Sequence, residues 1–156
     1  MESKDINIEA AKKISLEGND NKHYRLNDFK GKKIVLYFYP KDDTPGCTIQ
    51  SKDYSNLYDQ FLENNAIVIG CSKGDANEKE KFKNKYSLKQ LLLADTNLEL
   101  CKAMNVLKEK KFFGKNIVSI SRSSFIFNEN GDLCCSQYNV KHSEDASNNL
   151  EIIKNM

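Results

Sequence analysis

Five cysteines and two arginines are the residues of this chain whose types and spacing invite chemistry. An odd number of thiols cannot all pair within one chain, so a complete disulfide framework is excluded. Zinc sites want roughly two to four residues between paired ligands. The only close pair here is the adjacent Cys134-Cys135, and His23 and His142 have no ligand-spaced partner. No metal or other cofactor is implied, and free thiols with individual roles are the better reading. Cys47 stands out among them. It closes the run Tyr39-Pro40-Lys41-Asp42-Asp43-Thr44-Pro45-Gly46-Cys47, in which an apolar segment delivers the chain to a proline-stiffened loop and a helical pattern then begins. Unpaired N–H groups and the positive dipole end at a helix start favour a thiolate, the nucleophilic form of cysteine. On spacing alone, a small buried cysteine that merely packs is an equally good reading.

Arginine is scarce: of 24 basic residues only Arg25 and Arg122 are Arg, leaving 24 − 2 = 22 lysines. Bidentate recognition of phosphate or base edges favours Arg, and the lysines are interleaved with Asp and Glu. Nucleic-acid binding is therefore disfavoured as the main task. The 39% apolar content is low, but Leu, Ile, Val and Phe together make up a quarter of the chain and the net charge is only +2, which argues against disorder. No apolar run approaches the roughly 18 residues needed to span a bilayer. The amino end, Met1 to Lys13, carries three acidic residues and no apolar core, so it does not read as a secretory signal. The expectation is a soluble intracellular protein, cytoplasmic, with nuclear residence left open; Lys108-Glu109-Lys110-Lys111 is too short and mixed for an import signal.

The elements that must position Cys47 follow from periodicity. Ile14 to Leu26 reads as an amino-terminal hairpin about Gly18-Asn19-Asp20-Asn21. Ile34 to Tyr39 is a β-branched and aromatic run of the kind buried on both sheet faces, ended by Pro40. Tyr54, Leu57, Tyr58, Phe61 and Leu62 have helical spacing within a helix from about Cys47 to Asn65. Ala66 to Cys71 is a second buried strand. Asp75 with Glu78 makes a capping box for a helix to Tyr86. Leu91 to Ala94 is a short strand and Glu99 to Met104 a short helix. Ser124 to Asn128 and Leu133 to Tyr138 form a hairpin about Asn130-Gly131, which suits a type I′ turn. Ser143 opens a last helix whose stripe is Ala146, Leu150 and Ile153. No repeat or linker divides the chain, so residues 1–156 form one domain. The order describes an α/β, thioredoxin-like fold: a central mixed sheet flanked by helices, with the hairpin at its amino end.

The segment Leu36 to Gln50 resembles the active-site segment of the peroxiredoxins, in particular the bacterioferritin-comigratory or Q subfamily. That family's Pro-x-x-x-Thr-x-x-Cys frame is Pro40, Thr44 and Cys47 here, and Ile120 to Ile126 resembles its arginine-bearing strand start through Arg122. Phe29 to Lys32, Ile69 to Ser72 and Leu93 to Asp95 are weaker likenesses, and the whole covers roughly residues 14 to 153. The resemblance implies a peroxidase whose Cys47 takes an oxygen from hydrogen peroxide or an organic hydroperoxide and becomes a sulfenic acid. Arg122 would supply fixed donors and positive charge, Thr44 a hydroxyl to the thiolate or peroxide, and Pro40 a shield against water. The ordinary alternatives are a strand-edge ion pair for Arg122, a loop or cap hydrogen bond for Thr44 and strand termination for Pro40. Thr48 and Gln50 resemble positions that support the hydrogen-bond network, with a solvated or structural role equally open.

One departure matters. Many members of that subfamily carry a resolving cysteine five residues after the first, where this chain has Lys52, and others place it on the next helix, where Ala76 to Tyr86 has none. Cys71 and Cys101 read as core thiols, and Cys134 and Cys135 as alternating across a strand. The expectation is a one-cysteine cycle completed by thioredoxin, glutaredoxin or glutathione, in a monomer, with a hidden resolving cysteine as the alternative. A disulfide oxidoreductase would need Cys-x-x-Cys, which is lacking. A redox-sensing or holdase-like interaction protein switched by Cys47 oxidation remains the rival from another class. The stretch Ala11 to Ile14 also lacks the proline that family members usually carry before the first strand.

Overall fold

The apolar run in the middle of the sequence becomes the central strand, β3 (Lys33–Phe38), with Ile34 through Phe38 all buried. The computed structural model describes residues 5–156; the first four positions of the amino end, part of the stretch read above as no secretory signal, lie outside the described residues. On one side β3 runs parallel to β4 (Ala66–Ser72), and β4 runs parallel to β5 (Leu91–Ala94). On the other, β3 pairs antiparallel with β8 (Ser123–Phe127), and β8 with β9 (Leu133–Tyr138). The amino-terminal hairpin, β1 (Leu16–Gly18) and β2 (His23–Tyr24), joins beside β5. The seven-stranded order is β2-β1-β5-β4-β3-β8-β9. This is the mixed thioredoxin-like sheet expected from the sequence.

A sheet with parallel strands at its centre must be covered on both faces. Ile34, Leu36 and Phe38 face one way, toward Ile69, Cys71, Leu93 and Phe125, with α1 (Ile8–Lys13) and α5 (Glu99–Ala103) packed over them through Ala11, Leu100 and Cys101. Val35, Tyr37 and Tyr39 face the other way, toward Val68, Leu92 and Ile126. That second face is covered by α2 (Pro45–Asn56), α3 (Tyr58–Glu63), α4 (Ala76–Tyr86) and α6 (Asp145–Lys154). The alternation along β3 thus divides the interior into two cores, and Cys47 belongs to the second.

Several expectations need correction. The helix predicted from Cys47 to Asn65 is two helices broken at Leu57, whose ψ of 2° leaves the helical well. Ser55 and Asn56, poor helix formers, precede the break, and the Ser55 hydroxyl accepts the Lys89 N–H at 3.0 Å. The break lets Tyr54 and Phe61 both reach the core and leaves Leu62 on the surface. Asn130-Gly131 is not a two-residue type I′ turn. Gly131 alone carries positive φ (84°), and its N–H bonds the Asn128 carbonyl, which is a type I turn closed by a glycine bulge. A register irregularity follows at Ile126/Phe127. Ser143 does not cap α6; Glu144 occupies that position, without a side-chain cap bond. The helix α1 and a separate two-stranded hairpin, β6 (Leu107–Phe112) and β7 (Lys115–Ile120), had no counterpart in the sequence reading.

Candidate active site

Helix α2 begins where β3 and its loop end, and this junction assembles the site. Thr44 is its N-cap, Pro45 the first helical residue, and Cys47 the third. The Thr44 hydroxyl makes no cap bond; it donates instead to the Lys41 carbonyl at 2.9 Å. The first helical hydrogen bond runs from the Thr48 N–H to the Thr44 carbonyl at 2.9 Å. The N–H groups of Gly46 and Cys47 therefore lie in the open first turn, with no acidic side chain there to neutralise the dipole. Cys47 itself is 1% exposed and packs among Tyr37, Tyr39 and Tyr54. The combination is a buried sulfur on an uncapped, electropositive helix start, suited to an anion.

The loop is braced from behind. Tyr39 Oη donates to Asp42 Oδ1 at 2.7 Å, and the fully buried Lys79 ammonium donates to Asp42 Oδ2 at 2.9 Å and to the Lys73 carbonyl at 2.7 Å. Asp43, at a positive φ of 60°, takes bonds from Lys85 and Tyr86, and these hold its carboxyl below the usual range. Pro40 lies exposed at the lip of a cleft of about 360 Å³ bounded also by Lys41, Asp42, Lys73, Gly74 and Glu78.

Arg122 arrives from the turn between β7 and β8, whose Ser123 to Phe127 strand neighbours β3. Its Nη1 donates to Gln50 Oε1 at 2.7 Å. Its Nη2 lies against Gly46, so closely that a Cβ there would sit 3.1 Å from Nη2 and 3.1 Å from His142 Nδ1. A side chain at Gly46 would press on the guanidinium and on His142, each of which would have to give by a few tenths of an ångström. Pro40, Thr44, Cys47 and Arg122 are thus brought to one end of the sheet, with Thr44 engaged to Lys41.

The sequence reading named Gln50 as resembling a supporting position but missed the layer behind it. Gln50 Nε2 donates to Asp145 Oδ2 at 3.0 Å, and Asp145 also accepts from Tyr54 Oη (2.5 Å), Ser124 Oγ (2.8 Å) and Asn149 Nδ2 (3.3 Å). Gln50, Tyr54, Ser124 and Asn149 are fully buried and Asp145 nearly so. A signal existed. Asp145 and Asn149 fall on the same helical face as Ala146, Leu150 and Ile153, so polar residues occupy core-facing positions and need partners.

The other thiols are distributed by the sheet. Cys71 and Cys101 lie in the opposite core from Cys47. The neighbouring Cys71 thiol and burial push the Cys101 thiol well up. Cys135 is half-buried on the Cys47 side, opposite Ile126, and burial raises it too. Cys134 is exposed at the register irregularity of β9. One in and one out was expected; the bulge, rather than simple alternation, produces it.

A thioredoxin-like sheet that presents a buried cysteine at the start of a helix, with an arginine folded onto that start, defines the peroxiredoxin class. The chain belongs to the AhpC/TSA family, whose model matches residues 8–134. It is 40% identical over 143 residues to Peroxiredoxin Bcp of Bacillus subtilis, covering 92% of this chain and 91% of that protein. Peroxiredoxin Bcp of Escherichia coli is 34% identical over 123 residues, 79% of each. Among solved structures, the Xanthomonas campestris bacterioferritin comigratory protein, studied for alkyl peroxide reduction, superposes with a TM-score of 0.90 at 30% identity over 94% of both chains.

Proposed function

We propose that the chain is a thiol peroxidase acting through Cys47. The Cys47 thiolate attacks one oxygen of a hydroperoxide; the S–O bond forms as the O–O bond breaks, and the leaving oxygen takes a proton and departs as water or alcohol. Negative charge develops over both oxygens, where the Gly46 and Cys47 N–H groups and the Arg122 guanidinium can receive it. An external thiol then attacks the Cys47 sulfenic acid, expelling water and leaving a mixed disulfide. A second thiol displaces reduced Cys47 from it. Thioredoxin, glutaredoxin and glutathione supply this chemistry. The observation that carries the reading is the open first turn of α2 with Arg122 held against Gly46.

The placement of Cys71 and Cys101 across the sheet, and of Cys134 at the surface of β9, supports a cycle without an internal resolving thiol. The Xanthomonas relative's alkyl peroxide reduction supports organic hydroperoxides as substrates. The bacterial relatives favour cytoplasmic over nuclear residence, and no helix among the described residues is long and apolar enough to cross a membrane.

Intact-mass analysis after one equivalent of peroxide tests the cycle. Wild type should gain one oxygen, trapped at Cys47 by a sulfenate reagent, and Cys47→Ser should neither gain it nor consume peroxide above background. Loss of two hydrogens would reveal an internal disulfide and overturn the one-cysteine cycle. Oxidation that no thiol system reverses would instead favour a redox switch.

A further inference from the structure

We propose that Asp145 is a positioning residue for Arg122, acting through Gln50. This inference rests on the peroxidase reading for its rate effect. A glutamine amide has a donating and an accepting end and can turn either way. Gln50 lies between a guanidinium, which only donates, and a carboxylate that receives donors from every side. Its Nε2 faces Asp145 at 3.0 Å and its Oε1 faces Arg122 at 2.7 Å, and only this orientation satisfies both neighbours.

Asp145 cannot turn away from this duty. Tyr54, Ser124 and Asn149 occupy its remaining acceptor sites. Asn149 in turn donates to Tyr54 Oη at 2.7 Å and to Ser124 Oγ at 3.0 Å, and Gln137 donates to Ser124 Oγ at 3.2 Å and Asn149 Oδ1 at 2.7 Å. The cluster joins α2, α6, β8 and β9, so the aim of Arg122 is set by elements remote in sequence. It also places a buried carboxylate one amide away from the guanidinium.

The test is a rescue. Asp145→Asn keeps one carbonyl oxygen where the carboxylate offered two, so four donors compete for it and the Gln50 amide is no longer held with its oxygen toward Arg122. Cys47 oxidation should slow by about ten- to a hundredfold, the worth of one charge-assisted hydrogen bond. Gln50→Glu combined with Asp145→Asn restores an acceptor for Arg122 and a donor behind it, and the rate should return to within about threefold of wild type. With only two arginines in the chain, nitrogen NMR of the guanidinium groups reads the same event without peroxide. Arg122 should show hindered rotation in wild type, lose it in Asp145→Asn and regain it in the double variant. Losses that simply add in the double variant, or an unchanged Arg122 signal in Asp145→Asn, overturn the proposal. Wild type that fails to consume peroxide would instead count against the peroxidase reading, while the NMR comparison still decides the role of Asp145.

Discussion

In the proposed reaction Arg122 would act through geometry as much as charge. Its two terminal nitrogens do separate things: Nη1 is tied to Gln50 and Nη2 rests on Gly46. Lysine has one ammonium on a flexible stem and cannot hold both places. Arg122→Lys should therefore slow sulfenate formation by at least about tenfold in rapid-mixing measurements while leaving thermal stability near wild type. A wild-type rate would remove Arg122 from the mechanism. At this scale Cys47, Thr44, Pro40 and Arg122 were named as candidates through the family resemblance, because residue type and spacing alone left each with an ordinary alternative. Asp145 was not, because an acid at a helix start is an ordinary solvated feature until the sheet supplied by β8 buries it. The partner set of that carboxylate spans positions 50 to 149, beyond the reach of any local pattern.

Strong local signals made most elements readable. The capping box of Asp75 and Glu78 closes as expected, with Glu78 N–H to Asp75 at 2.8 Å and Asp75 N–H to Glu78 at 3.0 Å. The β6–β7 hairpin escaped because its strands are nearly all exposed: β6 is mostly charged, and β7 sets Ile117 and Val118 side by side at the surface, leaving no apolar alternation to see. Its turn is also disguised: Phe113 and Gly114 both take positive φ, 49° and 76°, where asparagine-glycine would be the usual pair. A bulky residue in that conformation is strained, and Phe113 is 90% exposed, so its ring returns little by burial. Phe113→Asn should stabilise the hairpin by several tenths to about 1 kcal/mol, seen as slower amide exchange across β6 and β7. Unchanged or faster exchange would mean the Phe112–Phe113 edge contact outweighs the strain.

Across the whole molecule, the second core is rich in tyrosine. Tyr37, Tyr39 and Tyr54 are fully buried, and burial raises all three hydroxyls above their ordinary value of 10.0. The unfolded chain releases those protons near pH 10, whereas the folded chain holds them. The stabilisation is thus fully present below pH 10 and is lost as pH rises above it. Alkaline titration should show Tyr24 ionising only at about pH 12, delayed by its bond to Asp20, and Tyr37, Tyr39 and Tyr54 later still. The last three should appear together with the loss of secondary structure. Their gradual ionisation in a folded chain would contradict the packing around Cys47. The fold class was legible from the order of elements, whereas the assignment of each thiol to one core or the other required the pairing of Cys71 with Phe38 across β4 and β3.

The irregularity in β9 has a practical result for anyone handling the protein. It turns Cys134 outward, the one thiol of the five that is exposed, and an outward sulfur meets its counterpart on another molecule by simple collision. Preparations stored without reductant should accumulate covalent pairs on non-reducing gels. Cys134→Ser should abolish these and keep full peroxide consumption; pairs that persist would point to another sulfur at the surface.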